Sequence, residues 1–421
     1  MRAKNNAKTL TILSALYILH AIPIIGYYTP AIVFLLVTLL LYVVLALNAS
    51  SGSFVRLLAL SLPVISIPFL RLIQVIVVGE RDFYLESYSF IQVLIYPMLG
   101  LYVLRSKNIT FCKTILLIFL VSYSITAVTT IIGCYLFPDA ARALTGNQDN
   151  LALYGQYKRM NIGDFHFVYF ITLTLPLIIG SIRYKLIKKP IGILLVVLVI
   201  VAVYYSAYTT ALLFSILALL LFFVPKNIAG NKLFFLGIVA FVILMMSSTV
   251  LSTILSSVSG NINNEDIASR LADMSTVFSG GTVESLDAES DMGARYDLFS
   301  RSWQAFLQNP IIGSWSLRAI GGHSFFLDTI GLFGLLGLLC LVWMYVRSFK
   351  LFLAPFRKNS WYAFLLSTFF LIIFQAILNP QPTIKVLSFV LPMYACLMDK
   401  ETRRCYLKVD KKNCTDKGIV T

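Results

Sequence analysis

The chain has 421 residues, of which 58% are hydrophobic and 13% charged, with a net charge of +15 and a mean hydropathy of +0.84. Soluble domains are about half apolar and about a quarter charged, so these values exclude an ordinary soluble enzyme, and the lack of ~10-residue alternating segments excludes a β-barrel. The lysines and arginines fall in short segments between apolar runs and at both ends, which is the positive-inside pattern beside anionic lipid and not a nucleic-acid footprint.

Taken in order, the apolar runs predict helices over 9–28, 31–48, 57–79, 89–104, 113–136, 165–182, 191–205, 208–224, 233–252, 323–346, 361–378 and 384–398. The first follows MRAKNNAK and resembles a signal peptide, but a second apolar run starts near Ala31 with no small-residue cleavage site between them, so a retained helix is expected. Residues 191–224 are apolar throughout. Basic residues flank both ends (Arg183, Lys185, Lys188, Lys189; then Lys226, Lys232), so two short passes with a turn near Tyr204–Tyr208 are expected rather than one long helix. The fold class expected is therefore an all-α polytopic membrane protein with about 12 transmembrane helices and both termini cytoplasmic. Its divisions are helices 1–9 over 1–252, an extracytoplasmic loop over 253–322, helices 10–12 over 323–398 and a basic cytoplasmic tail over 399–421.

Two outer loops result, at 137–164 and 253–322. The second begins with turn formers, acids and few aromatics, and much of that part is expected to be mobile. Its later part, GARYDLFSRSWQAFLQNPIIG, places Tyr296, Phe299, Trp303 and Phe306 at helical spacing, with Asn309-Pro310 ending the pattern. An amphipathic helix carrying Arg295 and Arg301 is expected there. The six cysteines show neither zinc-site nor disulfide spacing.

No phosphate-cradling glycine loop, serine elbow or metal-ligand pair is present, and no cofactor is implied. What remains are cations where topology disfavours them. Arg142, Lys158, Arg159, Arg270, Arg295, Arg301 and Arg318 lie in the outer loops, and Arg71 lies about eight residues inside the third helix. Eight residues are roughly 12 Å of helix, longer than a comfortable snorkel, and an intramembrane arginine is a functional hypothesis by default. Arg301 also has an ordinary reading, an i,i+4 pair with Asp297. Arginine holds phosphate oxygens in bidentate fashion, so a diphosphate at the outer leaflet is the natural guest. His323, behind Gly321-Gly322 at the mouth of an apolar helix, has two roles open to it, base toward a hydroxyl or hydrogen-bond donor to a leaving diphosphate. A packed interfacial ring is the plainer alternative.

The order of these pieces, GARYDLFSRSWQAFLQNPIIGSW followed by GGHSFFLDTIGLFGLLG, resembles the O-antigen polymerase and O-antigen ligase superfamily of bacterial surface-polysaccharide enzymes. The matching features are Arg295 and Arg301, Asn309 to Gly313, His323-Ser324, and Gly331, Gly334 and Gly337; YKRMNIGDFHF, with Arg159, is a second and weaker match. The strong part covers about 45 residues. Where many members carry an arginine, this chain reads Tyr205 to Leu212 with none, a departure that weakens the ligase reading more than the polymerase reading.

The resemblance implies a metal-independent glycosyltransferase of the bacterial inner membrane. It would join undecaprenyl-diphosphate-linked repeat units of O-antigen or capsule at the outer face, with a chain-length regulator as a further partner. Catalytic roles would fall to His323 and Arg295, and diphosphate or substrate contacts to Arg301, Arg159, Arg71 and Arg318. A ligase of the same superfamily and a lipid-linked oligosaccharide flippase or transporter are the alternatives.

Overall fold

A computed structural model describes residues 2–48, 51–81, 83–138, 140–146, 151–223, 256–257, 259–261, 265–278, 291–380 and 383–399. Among the described residues the chain is helical with no strand. The helices are α1 (Arg2–Leu19), α2 (Pro23–Tyr28), α3 (Ala31–Asn48), α4 (Ser51–Val78), α5 (Phe83–Ser106), α6 (Ile109–Leu136), α7 (Ala140–Gly146), α8 (Leu151–Arg159) and α9 (Phe165–Arg183). They continue with α10 (Lys189–Tyr205), α11 (Thr209–Leu219), α12 (Glu265–Phe278), α13 (Asp291–Gln308), α14 (Phe325–Ser348), α15 (Tyr362–Leu378) and α16 (Val386–Asp399).

Six of these are long and apolar enough to cross a membrane: α3, most of α4 and α5, α6, α9, and α14 with its extension to Phe356. Shorter apolar helices accompany them. The helix α6 shows why this composition suits lipid. Phe111, Ile115, Phe119, Tyr123 and Ala127 are buried in the bundle, while Leu117, Val121, Ile125, Val128 and Ile132 are exposed on the other face. A helix apolar all round has one side for its neighbours and one for hydrocarbon. The chain is thus an all-α protein built of membrane-embedded helices.

The expected helix over 9–28 is two pieces, because Pro23 starts a new helix after the turn at His20 to Ile22. The turn expected near Tyr204–Tyr208 separates α10 from α11, with Ala207 in the left-handed region at φ 53. Helix α13 ends at Gln308, immediately before Asn309-Pro310. The stretch expected to be largely mobile contains α12, whose signal is the i, i+4, i+7 spacing of Ile267, Leu271 and Met274 behind two acids. The loop 137–164 likewise holds α7 and α8. The helix expected over 233–252 and the tail from 400 onward lie outside the described residues.

The main core is shared by α1, α3, α5, α6, α9, α10, α15 and α16. A second apolar cluster joins α4 to α14 through Ile67, Phe325, Ile330, Leu341 and Met344. It fixes α14 beside α4, and with it the candidate site.

Candidate functional site

The site is built around a broken helix. Gly334 inside α14 has φ 57 and ψ −139, so the α-helical ladder stops there and resumes. The loop after α13 fills the gap. Ser314 and Trp315 donate their amides to the carbonyls of Gly331 (2.9 Å) and Leu332 (3.0 Å), and the Leu335 amide reaches the carbonyls of Pro310 (2.8 Å) and Ile311 (3.1 Å). Backbone approaches backbone so closely that a Cβ on Gly334 would lie 2.6 Å from the Pro310 carbonyl oxygen, and one on Gly313 would collide with Leu332. The N-P-x-x-G and G-x-x-G spacings therefore form one interlocked unit. Irregular backbone at membrane depth needs such mutual satisfaction. The loop is also tied to α4 and its end. Gln74 donates to the Trp315 carbonyl at 3.0 Å, and the Glu80 carboxylate accepts from the Ser316 hydroxyl at 2.6 Å and from the Leu317 amide. Those two hydrogen bonds hold the Glu80 carboxyl below its ordinary range.

A buried carboxylate shapes the next turn. Asp328 accepts from the Ser302 hydroxyl of α13 at 2.6 Å, the Gly322 amide at 3.1 Å and the Ser324 amide at 3.1 Å. Gly322 reaches this geometry at φ 76. Ser324 caps α14 by accepting from the Leu327 amide at 3.0 Å, and Asn379 accepts from the Phe325 amide at 2.8 Å. His323 is exposed on the turn whose two flanking amides Asp328 holds.

Beneath this turn lies a half-enclosed cavity of about 250 Å³, lined by Ile67, Pro68 and Arg71 of α4, Glu86, Ser89, Phe90, Val93 and Tyr96 of α5, Phe325, Ile384 and Lys385. Two cations face it. The Arg71 guanidinium carbon lies 5.9 Å from the Phe325 ring centroid, and its Nε is enclosed without a hydrogen-bond partner. Asp328 and Glu86 are its counter-charges, but Glu86 is shared with Arg81 at 3.5 Å and Asp328 already accepts three hydrogen bonds. The Lys385 ammonium stands 5.5 Å from the Tyr96 ring and 5.7 Å from the Phe170 ring. The cavity thus offers positive charge beyond what its own acids consume.

Of the cations singled out by sequence, Arg71 lines this cavity; His323 adjoins it through Phe325, two residues on. Arg159 lies elsewhere, donating to the Tyr27 hydroxyl at 3.2 Å and standing 5.5 Å from that ring. Arg318 is exposed in the short turn Leu317–Ala319, near Glu80. Arg301 is exposed on α13, and no Asp297–Arg301 ion pair occurs among the described residues. Arg295 belongs to α13, and its side chain lies outside the described residues, as does that of Arg270. Arg142 is spent on the Ala207 carbonyl at 2.7 Å. Lys385, Asp328 and Glu80 escape sequence reasoning. Lys385 resembles a flanking charge at the start of an apolar run, and Asp328 an ordinary first-turn acid.

Among the described residues no three His, Cys, Asp or Glu side chains gather closely enough to hold a metal ion. No protein-family model matches this chain, and no curated protein matches it.

Proposed function

We propose that this chain is a membrane-embedded glycosyltransferase that polymerises polyprenyl-diphosphate-linked repeat units of a bacterial surface polysaccharide at the outer face of the inner membrane, with twelve crossings and both termini cytoplasmic. The observation that carries the reading is the cavity where Arg71 and Lys385 face one another's space beside the turn of His323. Each transfer breaks the bond between the anomeric carbon of the growing chain and its diphosphate oxygen. A new bond joins that carbon to an acceptor hydroxyl oxygen. The hydroxyl proton passes to His323, and the electron pair leaves on the lipid diphosphate, whose charge Arg71 and Lys385 stabilise. Arg295, Arg301 and Arg318 would steer the anionic donor from the outer side, and Asp328 positions the His323 turn.

The test is the chain-length ladder of surface polysaccharide from cells lacking the gene. Glycan anchored as single repeat units supports a polymerase. Long polymer accumulating on the lipid diphosphate with none anchored makes the protein a ligase. The break at Gly334 favours a second reading, since transporters place such interrupted helices at their substrate sites. Unpolymerised units retained on the cytoplasmic side would establish that reading as a flippase.

A further inference from the structure

A second cavity lies away from the site above. It is an apolar cleft of about 520 Å³ between α6, α9, α10 and α16. Lys113 and Lys185 stand at one end, and Tyr123, Ala127 and Phe170 close the other. From Lys113 to Ala127 is 14 residues of α6, roughly 21 Å, against a leaflet of roughly half of 40–45 Å with its headgroup region. The wall is mostly apolar, and the Tyr394 hydroxyl is enclosed in it without a hydrogen-bond partner. Thr174 and Ser181 donate to the Ile171 and Leu177 carbonyls of their own helix, each at 2.8 Å.

The mouth is of different character. Lys185 sits in the left-handed region at φ 60, fixed by its amide on the Ile182 carbonyl (3.2 Å) and by the Leu186 amide on the Ser181 carbonyl (2.9 Å). Left-handed backbone costs a non-glycine residue energy, and here it returns the chain across the cleft's end with a lysine at the corner. An apolar slot one leaflet deep with two ammonium groups at its rim matches one occupant, a lipid with an anionic head. Basic pockets between helices on the cytoplasmic side are a recurrent setting for such heads.

We infer that this cleft is a binding site for one anionic phospholipid of the leaflet at the basic end of the bundle, its phosphate on Lys113 and Lys185 and one acyl chain along α6. The cleft ends at Phe170, whose ring also faces Lys385. The inference stands independently of what the outer cavity binds.

The test uses the full chain in nanodiscs containing phosphatidylethanolamine and phosphatidylglycerol, released for native mass spectrometry. The wild type should retain one phosphatidylglycerol, K113Q/K185Q should hold it roughly thirty-fold more weakly, and K188Q/K189Q, which removes equal charge beside the cleft, should hold it as the wild type does. Ser124→Phe, which fills the slot and leaves the mouth intact, should also displace the lipid, and it carries the test if the lysine variant does not fold. Equal retention by K113Q/K185Q and Ser124→Phe overturns the inference. So does equal loss from K188Q/K189Q, which would mean diffuse attraction, and so does undiminished retention of phosphatidylethanolamine alone.

Discussion

Two turns carry the chain's most conspicuous polar sequences, and they use their polar groups in opposite ways. In the turn of YKRMNIGDFHF the side chains hold the loop itself. Asn161, in the left-handed region at φ 58, donates to Thr126 (3.2 Å) and Thr129 (3.1 Å) and accepts from the Ile24 amide (3.2 Å). Asp164 caps α9 through the Phe167 amide and pairs with Lys158 at 3.1 Å. Burial raises the Asp164 carboxyl, but Lys158, His166 and that amide outweigh it and keep it below its ordinary range. In the turn of GGHSFF the holding is done from outside, by Asp328 gripping backbone amides and the Ser302 hydroxyl. His323 is left on the surface of the turn, and Arg71 faces the cavity beneath. Charge spent on architecture and charge facing a cavity look alike in sequence.

The comparison breaks first at the arginines. Arg71→Ala should lower polymer formation by about 10²- to 10³-fold, as loss of a preorganised charge stabiliser does. Arg71→Lys should recover only part, because the fork is gone. Arg159→Ala should leave chain length nearly unchanged; an effect equal to that of Arg71 would put the diphosphate at the other turn. Polymer length on gels, normalised to membrane protein, reads all three. Asp328→Asn comes next. It weakens the hydrogen bonds to Ser302, Gly322 and Ser324, at about 1–3 kcal/mol for a buried network, and should reduce activity together with the thermal midpoint in detergent.

Asn161→Ala should cost about 1–3 kcal/mol by orphaning the Ile24 amide, seen as a lower thermal midpoint with the product ladder intact. A shortened ladder at normal stability would mean that this turn serves chemistry. The smallest effect is expected at Glu80. Its carboxyl is held below its ordinary range, so the tether to Ser316 and Leu317 is whole above about pH 4.3 and is lost as pH falls through the lowered value. Hydrogen exchange of residues 311–320 should therefore quicken relative to neutral-pH protection as the carboxylate protonates, and Glu80→Gln should flatten that dependence.

Most of the long apolar helices were legible because an apolar run between basic flanks has one physical solution in lipid, and the α10–α11 turn followed from the flank charges and the tyrosines between them; α7, α8 and α12 were not. The stop at Asn309-Pro310 was legible from proline's missing donor. The place of Arg71 inside an apolar helix was legible from its position in the run; the cavity it lines was not. Lys385 was not, since its depth depends on α16 starting beneath α5 and not at the surface. Gly334 was hidden differently. Its spacing with Gly331 and Gly337 suits close helix packing, and only coordinates reveal a left-handed residue whose helix is completed by another segment.

That completion makes the loop captive. Withdrawing residues 310–315 would strand the Gly331 and Leu332 carbonyls and the Leu335 amide toward hydrocarbon, at several kcal/mol for each polar group left bare. The loop cannot swing aside as a lid does while α14 stays still. Because the loop bonds to α14 on both sides of Gly334, any motion that admits a bulky guest under it has to carry the loop and both flanks of the break along as one rigid body.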